Sequence, residues 1–302
     1  MELGMVGLGK MGANMTVRLV KGGHRVVGFA RTKAVVDAVV AQGATGAYSL
    51  AELVKLLPAP RIIWLMIPSG DPVDQTLGQL HPLLAPGDTI VDGGNSYYRD
   101  SLRRAALVTG WGFHYVDVGT SGGIWGLAEG YSMMVGGEDA DVERIRPILE
   151  TLAPGPTKGW GHMGPVGSGH FVKMVHNGIE YGMMQAYAEG FAVLQGKTEF
   201  ALDLHQVALV WRYGSVVRSW LLELTEAALA ENPTLKGIEP WVADSGEGRW
   251  TVTEAMDLNI PAPVITLALQ QRIRSREQDP FTERLLAMMR NKFGGHEVKR
   301  ET

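Results

Sequence analysis

Short apolar runs alternate with amphipathic stretches along the first half of the chain. The apolar runs have the length and composition of buried strands, and they span residues 3–7, 25–29, 61–67, 89–92, 113–118 and 131–135. Between them, apolar residues recur at helical spacing near residues 11–22, 33–42, 49–56, 71–80, 97–109 and 139–152. Ser49 and Glu52 have the spacing of a capping box at the start of the third helix. The alternation predicts a parallel sheet covered by helices.

The strand pattern ends near Pro165, and only helical periodicity continues beyond it. The predicted helices span residues 167–196, 201–230, 250–258, 261–277 and 281–291. The stretch 154–169 is rich in glycine and proline, as is typical of a joint between domains. We therefore predict an α/β domain over residues 1–165 and an all-α domain over 166–302. Glycines 294 and 295 predict that a C-terminal tail leaves the last helix.

Composition narrows the class of protein. The chain has 302 residues, of which 45% are hydrophobic, and this is enough for a sizeable core. Its net charge of −4 gives no reason to expect nucleic acid as a partner. The absence of cysteine excludes disulfides and thiolate nucleophiles. No signal segment or membrane span is recognisable in the sequence, so we expect a cytoplasmic protein with no membrane partner.

A glycine-rich turn, G-L-G-K-M-G at residues 7–12, follows the first predicted strand and opens the first predicted helix. Gly7 would allow the tight turn, Gly9 would let a pyrophosphate approach the backbone, and Gly12 would let helix and strand pack closely. The N–H groups of the helix N-terminus would then face the phosphates. The turn therefore predicts a Rossmann-type dinucleotide-binding domain, with Leu8, Lys10 and Met11 completing the cofactor loop. The alternative is a simple strand–helix turn.

The residues after the second strand bear on the choice of cofactor. An NAD-selective site usually has an acidic residue here to hold the ribose 2′-hydroxyl. This chain instead has Arg31 and Thr32, and a guanidinium group can pair with a 2′-phosphate. The sequence thus favours NADP, and NAD remains possible because Arg31 could be an ordinary solvated residue.

Five different reactive side chains lie on one strip of the predicted helix over residues 167–196. They are Lys173, His176, Asn177, Glu180 and Tyr181, and apolar residues fill the opposite face. A lysine and a glutamate on the same strip suit proton transfer to and from a substrate. The alternative is an ordinary amphipathic helix whose polar face is in solvent.

Two loops and a group of arginines suggest further binding residues. D-G-G-N-S at 92–96 and S-G-G at 121–123 each follow a strand at its C-terminal end, where α/β sheets bind ligands. The helical half is rich in guanidinium groups, and an anionic substrate would need only two or three of them: Arg249, Arg272, Arg274, Arg276 and Arg290. The alternatives are plain turns for the glycine pairs and a solvated face for the arginines.

Taken together, the motifs at 7–14, 92–96, 121–123, 169–181 and 290–296 resemble the 6-phosphogluconate dehydrogenase family, in its short bacterial form. The family comprises the decarboxylating enzymes of the pentose phosphate pathway. The resemblance implies that Lys173 is the general base and Glu180 the general acid. It implies that the sugar acid is held by Asn95, Ser121, Gly122, Gly123, His176 and Asn177, and its phosphate by Tyr181 and Arg272.

The resemblance also implies an assembly. Arg290 and His296 match tail residues that reach the site of a neighbouring subunit, so a homodimer or homotetramer is expected. The chain lacks the glycine-loop lysine of the long family form, and Arg249 is a candidate replacement. No metal is expected, because the lysine polarises the substrate. The remaining alternatives are a 3-hydroxyisobutyrate or tartronate semialdehyde dehydrogenase and a non-catalytic NADP-binding sensor.

Overall fold

A mixed β-sheet organises the first part of the chain in the computed structural model, which describes residues 1–300 apart from the side chain of Phe293. Within the described residues, the sheet contains eight strands: β1 (Glu2–Val6), β2 (Arg25–Phe29), β3 (Thr45–Ala47), β4 (Ile62–Leu65), β5 (Thr89–Asp92), β6 (His114–Ser121), β7 (Ser132–Gly136) and β8 (Trp160–Gly164). The strand order is β3-β2-β1-β4-β5-β6-β7-β8. All neighbouring strands run parallel except β6 and β7.

Helices connect the strands and cover the sheet. They are α1 (Lys10–Lys21), α2 (Lys33–Val40), α3 (Leu50–Lys55), α4 (Asp71–Leu80), α5 (Tyr98–Gly110), α6 (Gly126–Glu129) and α7 (Asp139–Leu152). Every residue of β4 and β5 is buried, as expected for central strands covered on both faces. Ser49 caps α3 by accepting a 3.0 Å bond from the Glu52 N–H, while the Glu52 carboxylate accepts from the N–H of Tyr48. The Rossmann-type prediction is confirmed.

The structure differs from the predicted sheet at its two edges and in one strand direction. β3 and β8 were not predicted, because an edge strand has only one neighbour and its short sequence carries little apolar pattern. β8 also lies inside the stretch 154–169 that was predicted to be only a joint. The sheet is parallel as predicted, except that β6 and β7 run antiparallel to each other. Residues 122–131 connect β6 to β7, and a parallel crossover needs at least about a dozen residues.

After β8 the described chain contains helices joined by loops and by a 3₁₀ turn at Thr198–Phe200. The helices are α8 (Ser168–Gly196), α9 (Leu204–Trp211), α10 (Trp220–Glu231), α11 (Glu247–Asp257), α12 (Pro263–Arg274) and α13 (Phe281–Gly294). The single helix predicted over 201–230 is wrong. The chain breaks after α9, where Gly214 has φ 72°, and Ser219 caps α10 by accepting a 3.1 Å bond from Leu222. Gly295, with φ 64°, ends α13, so the tail leaves the helix as expected.

Close contacts divide the chain into two units, Met1–Asn177 and a second that begins at Gly178. The division falls within α8, and the predicted boundary at 165 stays a prediction. Residues 301 and 302 of the predicted second domain lie outside the described residues. Among residues 1–300, every helix is too short or too polar to span a bilayer.

Candidate active site

The glycine turn between β1 and α1 has the geometry of an anion site. Gly7 adopts φ 96°, and a Cβ there would lie 2.3 Å from the Met66 carbonyl oxygen. A Cβ at Gly12 would lie 2.0 Å from the Gly7 carbonyl oxygen, so helix and strand pack directly on each other. Gly9, the N-terminal cap of α1, has no atom within 4 Å of its Cβ position. Its backbone is therefore open to a phosphate at a helix N-terminus.

The remaining residues of the predicted cofactor site differ in exposure. Leu8 is buried in the core, so only its backbone can face a ligand, whereas Lys10 is exposed and Met11 half-buried. Arg31 and Thr32 are exposed directly after β2. The next residue, Lys33, is occupied by a 2.7 Å ion pair with Asp37, which raises the pKa of the lysine.

The loop after β5 is held by a buried carboxylate. Asp92 accepts bonds from Gly94 N–H at 3.1 Å, Ser96 Oγ at 2.8 Å and Tyr115 O–H at 3.0 Å. Arg104 is fully buried and lies 3.7 Å from the same carboxylate. Burial raises the pKa of Tyr115 well above its ordinary value, so its hydroxyl stays a donor. These contacts fix the loop that carries Asn95.

Asn95 joins this loop to β6. Its side-chain Nδ2 donates to the Thr120 carbonyl oxygen at 3.0 Å, and its Oδ1 accepts from the Thr120 N–H at 2.8 Å. Asn95 has φ 54°, in the left-handed region that asparagine tolerates better than most residues. Ser121 is the last residue of β6 and not part of a turn after Val118, because β6 extends to it. Residues 92–96 and 121–123 are therefore neighbours in the structure.

The N-terminus of α8 packs closely on β6 and β7. Asp117, buried on β6, accepts bonds from the N–H groups of Gly167 at 2.6 Å and His170 at 2.7 Å. A Cβ at Gly169 would lie 2.5 Å from the Met134 carbonyl oxygen, and a Cβ at Gly119 would lie 2.2 Å from the Cβ of Lys173. The lysine therefore lies directly against the C-terminal half of β6.

Lys173 is only 4% exposed and is held by its own helix. Its Nζ donates to Asn177 Oδ1 at 2.5 Å and lies 3.4 Å from His176 Nδ1. His176 Nδ1 is 2.9 Å from the same amide oxygen, so the three polar groups form one cluster.

The burial along α8 differs from the pattern expected of an ordinary amphipathic helix. Lys173 and Tyr181 on the polar strip are buried, while Ile179 and Met183 of the predicted apolar face are exposed. Glu180 on the polar strip is half-buried. The interpretation of this strip as a solvent-exposed face therefore fails at its lysine and its tyrosine.

A second cluster surrounds Tyr181, within the unit that begins at Gly178. The Tyr181 hydroxyl lies 3.4 Å from Ser245 Oγ and accepts a 3.3 Å bond from the Ser245 N–H. The Arg272 guanidinium stacks on the tyrosine ring at 3.4 Å from its centroid and donates to the Ala243 carbonyl at 3.0 Å. This arrangement of arginine, phenol and hydroxyl suits a phosphate.

The other predicted anion-binding residues lie in different environments. Arg249 donates two 3.1 Å bonds to Asp244, a pairing that lowers the pKa of that carboxyl group. It is therefore already paired in this structure. Arg290 on α13 and His296 in the tail are exposed.

Sequence reasoning missed Asp117 and Gly119, which place the lysine. The detectable signal for Asp117 was a single acid inside an apolar strand, since such an acid is buried only with partners. Within residues 1–300, no three His, Cys, Asp or Glu side chains form a group that could hold a metal ion.

Comparison with known proteins identifies the family. Residues 2–164 match the NAD binding domain of 6-phosphogluconate dehydrogenase, and residues 169–301 match the 6-phosphogluconate dehydrogenase C-terminal domain. This chain belongs to the 6-phosphogluconate dehydrogenase family. It is 46% identical over 302 residues to the NAD(+)-dependent decarboxylating 6-phosphogluconate dehydrogenase of Haloferax volcanii, covering 100% of this chain and 99% of that protein.

Longer family members also match. The decarboxylating 6-phosphogluconate dehydrogenase of Synechococcus elongatus is 36% identical over 312 residues, which cover 97% of this chain but 66% of that protein. The solved structure of Plasmodium falciparum 6-phosphogluconate dehydrogenase matches with TM-score 0.85 and 29% identity, covering 100% of this chain and 66% of that one. A Salmonella typhimurium 3-hydroxyisobutyrate dehydrogenase, at 21% identity and TM-score 0.74, shares the fold.

Proposed function

We propose that this protein oxidises and decarboxylates 6-phosphogluconate to ribulose 5-phosphate with reduction of NAD or NADP, in the cytoplasmic pentose phosphate pathway. The observation that carries the proposal is the match along the whole chain to the Haloferax enzyme. The buried side chain of Lys173, which lies against the C-terminal half of β6, supports it. A nucleotide bound at residues 7–12 supplies the hydride acceptor.

Oxidation requires a base at the C3 hydroxyl of the sugar acid. Lys173 accepts that proton as a neutral amine. Asn177 and His176 hold the amine in place through the contacts described above. The C3 hydrogen leaves as hydride, and a 3-keto acid results.

Decarboxylation follows because the new ketone can accept the electron pair left by CO₂. The protonated Lys173 then stabilises the developing enolate oxygen. Glu180 gives a proton to C1 of the enediol, which yields the ketone product. Half-burial of Glu180 keeps its carboxyl group accessible to substrate and to solvent protons.

The phosphate end of the substrate is assigned to the cluster around Tyr181. Arg272 is oriented by the tyrosine ring, so its planar donors are preorganised for a bidentate pair with phosphate oxygens. Ser245, which contacts the Tyr181 hydroxyl, adds a donor from the loop before α11.

We propose further that the protein is a homodimer or homotetramer in which Arg290 and His296 complete a neighbour's site. Exposed apolar side chains along α8, including Val193 at 73% exposure, support an assembly. Mixing Lys173→Met with Arg290→Ala subunits tests the sharing. In a dimer, random reassociation restores about a quarter of the wild-type sites if the residues come from different subunits. No recovery would count against shared sites.

The substrate assignment is tested by following nucleotide reduction and CO₂ release together. The purified protein is supplied with 6-phosphogluconate and either NAD or NADP, and 3-hydroxyisobutyrate serves as the comparison substrate. With 6-phosphogluconate we expect reduced nucleotide and CO₂ in equal amounts, and with 3-hydroxyisobutyrate we expect neither. Reduction without CO₂, or turnover only of 3-hydroxyisobutyrate, would overturn the proposal.

A further inference from the structure

Arg18 connects the cofactor helix α1 to two other segments of the chain. Its Nη1 lies 3.2 Å from the Leu127 carbonyl oxygen and 3.5 Å from that of Ala128. Its Nε donates to the Thr151 carbonyl at 2.9 Å and its Nη2 to the Ala153 carbonyl at 2.7 Å. One guanidinium group therefore holds four backbone oxygens, all of them outside α1.

The first of these segments is the continuation of the S-G-G motif. Residues 122–130, hereafter the S-G-G segment, leave β6 after Ser121 with φ 125° at Gly122 and 53° at Gly123. They form only a short 3₁₀ turn and the four-residue helix α6 before the chain returns to the sheet. The segment thus has little regular structure of its own to fix its position.

Hydrogen bonds from side chains of α1 hold the S-G-G segment in place. Asn14 Nδ2 donates to the Ile124 carbonyl at 3.3 Å, and Arg18 reaches the same segment one turn later. Positions i and i+4 lie on the same face of a helix. The face of α1 that bears Asn14 and Arg18 therefore anchors the segment. The same helix begins at the glycine turn.

We propose that Arg18 is a positioning residue that holds the S-G-G segment on the cofactor helix and so sets Gly122 and Gly123 relative to the nicotinamide. This inference rests on the proposed function, since it assumes that these residues hold the substrate. A guanidinium group is suited to the task because its donors diverge in one rigid plane, whereas a lysine ammonium cannot reach all four carbonyls at once.

The test compares Arg18→Met and Arg18→Lys with Arg144→Met. Arg144 is a matched control, because it also donates to backbone oxygens, those of Gly87 at 2.8 Å and Pro60 at 2.9 Å. The hydrogen bonds found for Arg144 among residues 1–300 do not include the S-G-G segment. A substrate misplaced by about 1 Å can lose about 100-fold in rate.

The kinetic comparison separates a role of Arg18 in positioning the substrate from a role in the stability of the fold. We expect Arg18→Met to raise KM for 6-phosphogluconate at least about tenfold and to lower kcat, while the nucleotide Kd changes less than about threefold. Arg18→Lys should lie between Arg18→Met and wild type, and Arg144→Met should keep wild-type kinetics despite a lower Tm. Wild-type kinetics in Arg18→Met, or the same kinetic loss in Arg144→Met, would overturn the assignment.

Amide hydrogen exchange provides a readout that needs no turnover. In peptides covering residues 122–130, Arg18→Met should exchange at least about tenfold faster than wild type, and Arg144→Met should not. If wild type fails to convert 6-phosphogluconate but this exchange difference is found, the proposed function fails and the anchoring role stands. If wild type is active and the exchange is unchanged in both Arg18 variants, the anchoring role fails alone.

Discussion

One added methyl group at Gly119 tests whether the contact between β6 and α8 sets the position of the Lys173 amine, the proposed base. In Gly119→Ala the new Cβ would lie 2.2 Å from the Cβ of Lys173, 3.0 Å from its Cγ and 2.8 Å from the Gly169 carbonyl oxygen. None of these atoms is the free end of a flexible side chain. The clash is therefore relieved only if α8 moves away from β6.

The size of the movement follows from van der Waals contact. Non-bonded carbon atoms settle at about 3.5–4.0 Å, so the helix must withdraw by roughly 1.3–1.8 Å from the 2.2 Å approach. Overpacking of this kind costs about 1–3 kcal/mol in the free energy of unfolding. A displacement near 1 Å at the reacting centre lowers the rate by about 100-fold, and we expect that loss in kcat.

The assay measures initial rates of nucleotide reduction with saturating 6-phosphogluconate, together with the nucleotide Kd. The nucleotide Kd should be nearly unchanged, because the glycine turn belongs to β1 and α1, whereas the substitution disturbs β6 and α8. Gly78→Ala is the matched control, since Gly78 lies within α4 with no atom within 4 Å of its Cβ position. That variant should keep wild-type rates and gain about 0.5–1 kcal/mol of stability. A kcat within about threefold of wild type in Gly119→Ala would refute the reasoning.

Two further substitutions test other parts of the proposed site, and a third tests the ion pair between Arg104 and Asp74 of α4. Lys173→Met should lower kcat by at least about 1,000-fold, because the proposed base is lost, while the nucleotide Kd stays nearly constant; a wild-type-like kcat contradicts its role. Arg31→Ala should raise KM for NADP about tenfold and leave KM for NAD nearly unchanged, whereas equal effects would show that Arg31 does not read the 2′-phosphate. The Arg104 hydrogen bond lowers the pKa of Asp74 from 3.8 to about 2. Because this folded-state pKa is depressed, the stability that Asp74 contributes over Asp74→Asn should be complete above about pH 5 and disappear as pH falls through 3.8 towards 2. Urea unfolding at several pH values measures this difference, and a difference independent of pH would contradict the assignment.

Much of the fold was predictable because it follows from local patterns. The central strands β4 and β5 are apolar throughout, since both their faces are covered, and this makes them recognisable from sequence. The edge strands β3 and β8 were missed because their pairing depends on a neighbour strand and not on their own residues. The break between α9 and α10 was missed although Gly214 and the capping Ser219 are both present, because apolar residues continue on either side of them.

For the candidate site, the sequence predicted the glycine geometry and the residue types but not which side chains are buried. The tight turn at Gly7 and the close approach of helix and strand at Gly12 are seen in the backbone geometry, since a glycine requirement is a property of a few adjacent residues. The phosphate role expected of Gly9 stays a prediction. The residue types on α8 followed from helical spacing in the same way. Helical spacing did not reveal which of these residues are buried. The burial of Lys173 depends on Gly119 and Gly169, which let a strand distant in the sequence approach the helix.

The sequence by itself determined the strand and helix alternation, the glycine turn at residues 7–12 and the order of reactive residues along one helix. These are short-range properties, fixed by the period of the backbone and by the absence of a side chain at glycine. Only the tertiary structure decided that Asp117 would cap α8, that Asn95 would pair with Thr120 and that Arg18 would hold the S-G-G segment. Each of these contacts joins residues far apart in the chain, and they meet only after the sheet has placed their strands and helices side by side.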